Sequence, residues 1–500
     1  MEEIMKHLTK IGTSLLIAGI FLGTQTASAQ DDDTLNMALS VDPDGLDPHR
    51  TTAASTFQIT NNIFDTLVKV TPEGELTEGL ATDWEISEDG LTITFNLRDD
   101  VEFHNGEAFS ADDVLYSFER LKADESPRAN DFANITEINV IDDYTIEFVT
   151  ENLNASLASD FAYPWTAIVL EENEEELRNS PIGTGAYALE AWVPQQNLTL
   201  TKNENYFDEV HIDTVEFTMM PDAIARTTAM LSGDLDIVGV TGDLVSQFEG
   251  NDSFQIIENQ SNAVQLMAMN LENEFLSVPE VREAINLAVD KDLLIESVFW
   301  GYGEKIGSHY PPVLLGYEDH AEAYAFNQEE AVAVLEEAGF EEGDITLDMY
   351  LPSDYQNYVD AGQIIADSLE NIGINVNIEV VEWSVWLSDI YTGRDYDLTV
   401  VGHTGRLDPY VLLARYHSES SENYFNYNNE RIDELLTDVQ TELDEDTRYE
   451  MFSEIQGTLA EEVPALYIQS PIGLSVTKEN VRGYESYPID IIELKNIYFE

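Results

Sequence analysis

The 500-residue chain contains no cysteine. That excludes disulfides, thiolate metal sites, cysteine nucleophiles and a cysteine-linked lipid anchor. Basic residues are scarce. Lys and Arg total 22 against 98 Asp and Glu, a formal net charge of −76. Nucleic-acid binding needs a basic footprint, and an anionic lipid surface would repel such a chain, so neither partner is expected. Glycine (28) and proline (16) are not enriched, which argues against disorder along the whole chain. No segment after the first thirty residues is long and apolar enough to cross a bilayer. His-x-x-x-His spacing and phosphate-loop spacing are both absent, and so is a Gly-x-Ser-x-Gly element. No metal, cofactor or catalytic residue is expected.

What the chain does contain begins with an export signal. Lys6, His7 and Lys10 form a basic start, Ile11 to Leu22 is apolar, and Ala27-Ser28-Ala29 is a small-x-small cleavage site. Residues 1–29 are read as a signal peptide and Gln30 as the first mature residue, leaving a periplasmic protein without a lipid anchor. The acids are spread over the whole length, including Glu174 to Glu176 and Asp444 to Asp446. This reads as a salt-adapted surface, because self-repulsion is screened when the Debye length shrinks to about 3 Å at 1 M salt.

The mature region is too long for one ordinary domain. Alternation predicts strands through Leu91, Ile93, Phe95 and Leu97, through Ile345, Leu347, Met349 and Leu351, and through Ile374, Val376, Ile378 and Val380. Helix starts are marked by Ser110 with Asp113, by Asn327 with Glu330 and by Pro279, and Gly339 marks a stop. From Ile345 to Val400 the order is strand, helix, strand, helix, strand, which predicts an α/β sheet with crossover helices.

Several motifs occur in one order. Leu46-Asp47-Pro48 is followed by Leu80-Ala81-Thr82-Asp83-Trp84 with Glu88-Asp89-Gly90-Leu91, then by Phe103-His104-Asn105-Gly106 and Ala111-Asp112-Asp113-Val114. Ile182-Gly183-Thr184-Gly185-Ala186-Tyr187, Asn203-Glu204-Asn205-Tyr206-Phe207, and Val281-Arg282-Glu283-Ala284 with Asp290-Lys291 come next. Collinear over nearly the whole mature chain, these resemble the family-5 extracellular solute-binding proteins of ABC transporters, which include dipeptide, oligopeptide and nickel binders. Ala186 stands where the family usually has proline.

The resemblance implies a fold like the type II periplasmic binding proteins, with two lobes, a hinge and an additional inserted domain. Domain I would comprise 30–69, 182–264 and 479–500, domain II the insertion 70–181, and domain III 265–478. It implies a monomer that encloses a small solute and delivers it to a membrane ABC permease; the alternative is a subunit presenting ligand to a signalling receptor. Peptides are the family's default solute, and sugars or carboxylated compounds are alternatives.

Candidate site residues follow from both readings. Gly402-His403-Thr404-Gly405-Arg406-Leu407-Asp408-Pro409 follows the strand Asp397 to Val401, at the strand end where α/β sheets place ligand loops. In peptide-binding relatives this loop carries an Asp for the ligand's amino group; here Arg406 falls at that position. A guanidinium suits a carboxylate or a hydroxyl-rich solute. Arg406 could instead pair with a structural acid such as Asp395 or Asp408, and Asp408 is the competing anchor. The resemblance implies an aromatic against the ligand at Trp383, whose face would form a wall, while Trp386 is expected as core. His403 is expected to flank the ligand, and His104 to sit in a structural turn. Thr51, Thr52, Ala53, Val240, Thr241 and Gln265 are weaker candidates by family position. Gly183-Thr184-Gly185 is read as a tight backbone crossing.

Overall fold

In the computed structural model, residues 34–500 are described; the expected signal peptide and its cleavage site lie outside the described residues. Three sheet-and-core units are present. The first is built on strand Thr34–Leu39, which pairs in parallel with Thr214–Met219 and with Ile237 of strand Ile237–Val240. Strands Asn197–Lys202 and Tyr187–Val193 extend it as antiparallel neighbours. Leu35, Tyr187, Leu198, Val215 and Phe217 form its core.

The second unit is a four-stranded antiparallel sheet within residues 81–150, covered by helix Ala111–Leu121. Strand Thr92–Leu97 buries Ile93, Phe95 and Leu97 against that helix, as its alternation predicts. The helix starts where the capping pair predicts. The Asp113 carboxylate accepts the Ser110 N–H at 2.8 Å.

The third unit carries strands Ala263–Met269, Ile345–Pro352, Ile374–Val381 and Leu398–Thr404. Ile345, Leu347, Met349 and Leu351 are all buried. Strand Ile374–Val381 departs from its pattern. It is the outermost strand of the sheet, and Ile378 and Val380 remain exposed at 39% and 48%. The helix cues hold: Asn327 caps Gln328–Glu337 by accepting the Glu330 N–H, and Pro279 opens Pro279–Ala288.

One strand joins the first and third units. Ala465–Lys478 pairs through Ala465 to Gln469 with Ala263–Met269, and through Ile472 to Lys478 with Phe254–Gln260. The strand therefore passes from the third unit's sheet to the first near Pro471. Its 14 residues are long enough to serve both. At the crossing, the Ser261 hydroxyl donates to the Pro471 carbonyl at 2.6 Å and the Ser470 hydroxyl to the Ser261 carbonyl at 3.0 Å. These bonds satisfy backbone groups where the ladder between the two strands is interrupted.

Two of the sequence motifs are explained together. The Phe103 to Glu107 turn, with Gly106 at φ +86°, docks on the Gly183-Thr184-Gly185 crossing. His104 Nε2 lies 3.0 Å from the Gly185 carbonyl. A Cβ at Gly183 would come within 2.1 Å of the Ile63 carbonyl oxygen, and one at Gly185 within 2.4 Å of that of Asn62. Both glycines are required by close backbone approach, and His104 is a structural turn residue.

Candidate functional site

A cavity of about 680 Å³ opens where the three units meet. Its walls come from the start of helix Ala54–Ile63, from Arg128 and Tyr163 to Trp165, from the crossing residues 259–263, from the loop 404–406, and from the segment 484–492. Its size is that of a small-molecule site.

The loop after strand Leu398–Thr404 is fixed by backbone contacts. The Gly405 N–H donates to the Asn262 carbonyl at 2.8 Å. The Asn262 amide donates to the Arg406 carbonyl at 2.9 Å and to the Pro488 carbonyl at 3.2 Å, so one side chain ties the loop to the far wall. Arg406 projects across the cavity towards the second unit. Its Nη2 is 2.8 Å from Asp131 Oδ2, and its guanidinium carbon lies 5.5 Å from the Trp165 ring centre and 6.0 Å from that of Tyr163. Tyr163 and Trp165 stack at 4.2 Å, and Arg128 lies 4.2 Å over Trp165. The Leu407 N–H donates to the Tyr163 hydroxyl at 2.6 Å.

The electrostatics are unusual for so acidic a chain. Burial works against the charge of Arg406, but Asp131 and Asp160 outweigh it, and its pKa rises. Burial pushes Asp160 up to about 7 even though Arg406 opposes the shift. Asp160 therefore holds its proton well above the usual carboxylate range, beside the Arg406 guanidinium.

The structure brings Thr52, Thr404, Gly405 and Arg406 to the cavity wall. Other candidates lie elsewhere. His403 turns into the third unit, with Nδ1 3.2 Å from His309 Nε2 and Nε2 3.3 Å from the Tyr424 hydroxyl. Burial, and then the Arg415 charge, hold both imidazoles well below the usual histidine pKa. Asp408 is buried and paired with Arg448 at 2.6 Å, while its other oxygen accepts the Tyr410 N–H at 2.8 Å. Those bonds occupy the carboxylate that competed with Arg406 as anchor. Trp383 stacks on buried Trp386 at 4.8 Å with the rings 4° apart, and Trp386 Nε1 donates to Thr399.

The remaining weaker candidates serve local structure. The Thr51 hydroxyl donates to Asp44 at 2.8 Å and accepts the Ala53 N–H at 2.9 Å, holding the start of helix Ala54–Ile63. Val240 ends its strand opposite Leu474, and the Thr241 hydroxyl donates to Asp243. Gln265 is buried and accepts from Gln469 at 2.7 Å. Gly402 has the Tyr358 hydroxyl within 2.5 Å of where a Cβ would stand. The residues not foreseen are Arg128, Asp131, Asp160, Tyr163 and Trp165. They come from a unit more than 200 residues away in sequence from the 402–408 loop, and no local pattern marks them.

Residues 75–424 match the bacterial extracellular solute-binding proteins, family 5, and the chain belongs to that family. It is 26% identical to the dipeptide-binding protein of Escherichia coli (strain K12), over 99% of this chain and 98% of that protein. It is also 26% identical to the oligopeptide-binding protein AppA of Bacillus subtilis (strain 168), over 88% and 86%. Among solved structures, HbpA2 from Haemophilus parasuis superposes with a TM-score of 0.87 at 24% identity, covering 93% of this chain and all of that one. DppA from Helicobacter pylori, in complex with the peptide STSA, superposes with a TM-score of 0.72 at 25% identity, covering 93% and 98%. The fold is that of the type II periplasmic binding proteins. The protein is a solute-binding component of an ABC-type importer, and its family consists of binding proteins that act outside the cytoplasmic membrane. Among the described residues no helix is long and apolar enough to cross a membrane.

Proposed function

We propose that the protein captures a peptide-like, carboxylate-bearing small solute in the central cavity and that Arg406 anchors its acidic group. The observation that carries this reading is the Arg406 guanidinium on the cavity wall, beside Trp165, in a chain with only 22 basic residues. A planar guanidinium holds a carboxylate by two parallel bonds, and the aromatic floor favours the solute's apolar part. The peptide-binding relatives supply the solute class, and the reversed sign at the strand-end loop supplies the preference for an acid.

In this reading the units divide as domain I (30–69, 182–264, 479–500), domain II (70–181) and domain III (265–478), with the boundary strand running through. Closure turns on the two crossings at 260–263 and 470–471. A solute drives closure only by contacting the closed form better than the open one. The protein acts as a periplasmic monomer, exported by a signal peptide cleaved near Ala29, without a lipid anchor, nucleic-acid partner or enzymatic activity. The closed form docks on the membrane permease.

The test is thermal stabilisation by a small-molecule extract of the native host. Solute at a hundred times its dissociation constant adds about 2.7 kcal/mol. Arg406→Ala should abolish that gain while leaving the unliganded melt nearly unchanged, because a partly exposed ion pair is worth about 1 kcal/mol or less. An Arg406→Ala protein stabilised as much as the wild type would remove the anchor.

A further inference from the structure

The ion pair that Arg406 makes is a contact between units, and its geometry is incomplete. Asp131 Oδ2 accepts from Arg406 Nη2 at 2.8 Å and lies 3.6 Å from Arg128 Nη1. One carboxylate oxygen thus serves two guanidiniums, each of which has five N–H donors in a fixed fork. Arg128 Nε is buried without a hydrogen-bond partner. Both guanidiniums lie over the same Trp165 ring and line the same cavity. An unmet donor on a half-buried cation is costly, and a second planar acid between the two arginines would bond both guanidiniums.

We propose that Asp131 is a resident stand-in for the solute's acidic group, and that an arriving carboxylate displaces it from Arg406 and takes up Arg128 as a second anchor. This rests on the reading that the cavity accepts an acidic solute, and it adds which side chain competes with that solute. Asp131 then sets affinity from the unfavourable side. It lowers the cost of the empty, cationic cavity, and it must give way, or remain as a like charge beside the incoming acid. Like charges in close contact are costly at an interface. Arg128 belongs to the second unit and Arg406 to the third, so a carboxylate shared by both holds those units together in place of the Asp131 bridge.

The experiment is calorimetric titration of the full mature chain with two probes, Ala-Glu and the amide Ala-Gln-NH2, in which both carboxylates are replaced by amides. The wild type should bind Ala-Glu in preference to the amide. Asp131→Asn should tighten Ala-Glu binding about tenfold and leave the amide unaffected, because only the charged probe competes with Asp131. Arg128→Gln should weaken Ala-Glu binding about tenfold or more; it retains an amide donor and checks the site if Asp131→Asn folds poorly. Unchanged or weaker Ala-Glu binding by folded Asp131→Asn overturns the stand-in role, as does equal binding of the two probes. If Ala-Glu binds neither protein while a host extract still stabilises the wild type, the stand-in role falls and the solute-binding reading survives. If the extract also fails to stabilise the wild type, the reading on which this inference rests falls with it.

Discussion

Gly405 lies against Asn262 so closely that a Cβ on the glycine would stand 2.2 Å from the Asn262 side-chain oxygen. Asn262 is the residue at which the chain passes between the first and third units, and its amide holds both Arg406 and Pro488 by their carbonyls. The glycine thus brings the crossing strand and the ligand loop into contact, and the direction of Arg406 depends on that contact.

Gly405→Ala is therefore expected to push Asn262 out of its bridge. Overpacking of this kind costs about 1–3 kcal/mol. The loss should appear as a lower urea midpoint at unchanged slope, together with weaker solute-induced stabilisation. Asn262→Ala should share the second effect, since it removes the tie to Arg406 without adding bulk. A Gly405→Ala protein with wild-type binding would show that the loop finds its position without this contact.

Much of the fold was legible because its signals are local. Caps, alternation and the Gly183-Thr184-Gly185 crossing each depend on residues a few positions apart. The placement of His403 was also within reach. Side chains two apart on a strand share a face, and Thr399, Val401 and His403 lie on the face towards Trp386 and Tyr424. Reading the strand as ending at Val401 hid this, because it treated His403 as free loop. The Arg406 partner was not legible. Nearby acids at 395 and 408 were the local choices, whereas Asp131 is 275 positions away and is brought close only by docking of the inserted unit. The same long-range docking supplies Tyr163 and Trp165, so that wall of the cavity carries no local signature.

Asp160 gives a pH dependence of definite sign. Burial raises its pKa from 3.8 to about 7, so the folded protein keeps a proton that the unfolded chain releases. Its contribution is neutral below about pH 4 and becomes increasingly destabilising from there to about pH 7, above which it is constant. Asp160→Asn should therefore stabilise the protein at pH 7.5, by about 1–3 kcal/mol, and have little effect at pH 4. Urea melts of both proteins at the two pH values measure the difference. A gain at pH 4 equal to that at pH 7.5 would show that removal of the charge is not its source.

The buried imidazoles act in the opposite direction. His309 and His403 sit in a chain of polar groups, with Tyr416 2.9 Å from His309 and Tyr467 3.0 Å from Tyr416. Both stay neutral in the folded protein well below pH 6.5, while the unfolded chain takes up protons there. Stability should fall as pH drops below about 6.5, at up to about 1.4 kcal/mol per pH unit for each imidazole. The double variant His309→Phe with His403→Phe should show a shallower acid limb in the same urea series, whatever its stability at pH 7.5. An acid limb as steep as that of the wild type would assign the loss to other groups.

The surface charge makes the last prediction. With 98 acidic and 22 basic residues, most carboxylates have no cationic partner available, and the folded chain repels itself. The unfolded chain spreads the same charge over a larger volume, so low ionic strength favours unfolding. Raising the salt to about 1 M cuts the screening length to about 3 Å and removes most of that repulsion between exposed groups. The melting temperature should climb steeply between about 0.1 and 1 M NaCl. The same salt should weaken the partly exposed Arg406–Asp131 bridge, so the climb measures the balance of a dispersed repulsion against a few local attractions. A flat or falling melting temperature over that range would mean the pairs outweigh the excess, and that the acidic surface is no adaptation to salt.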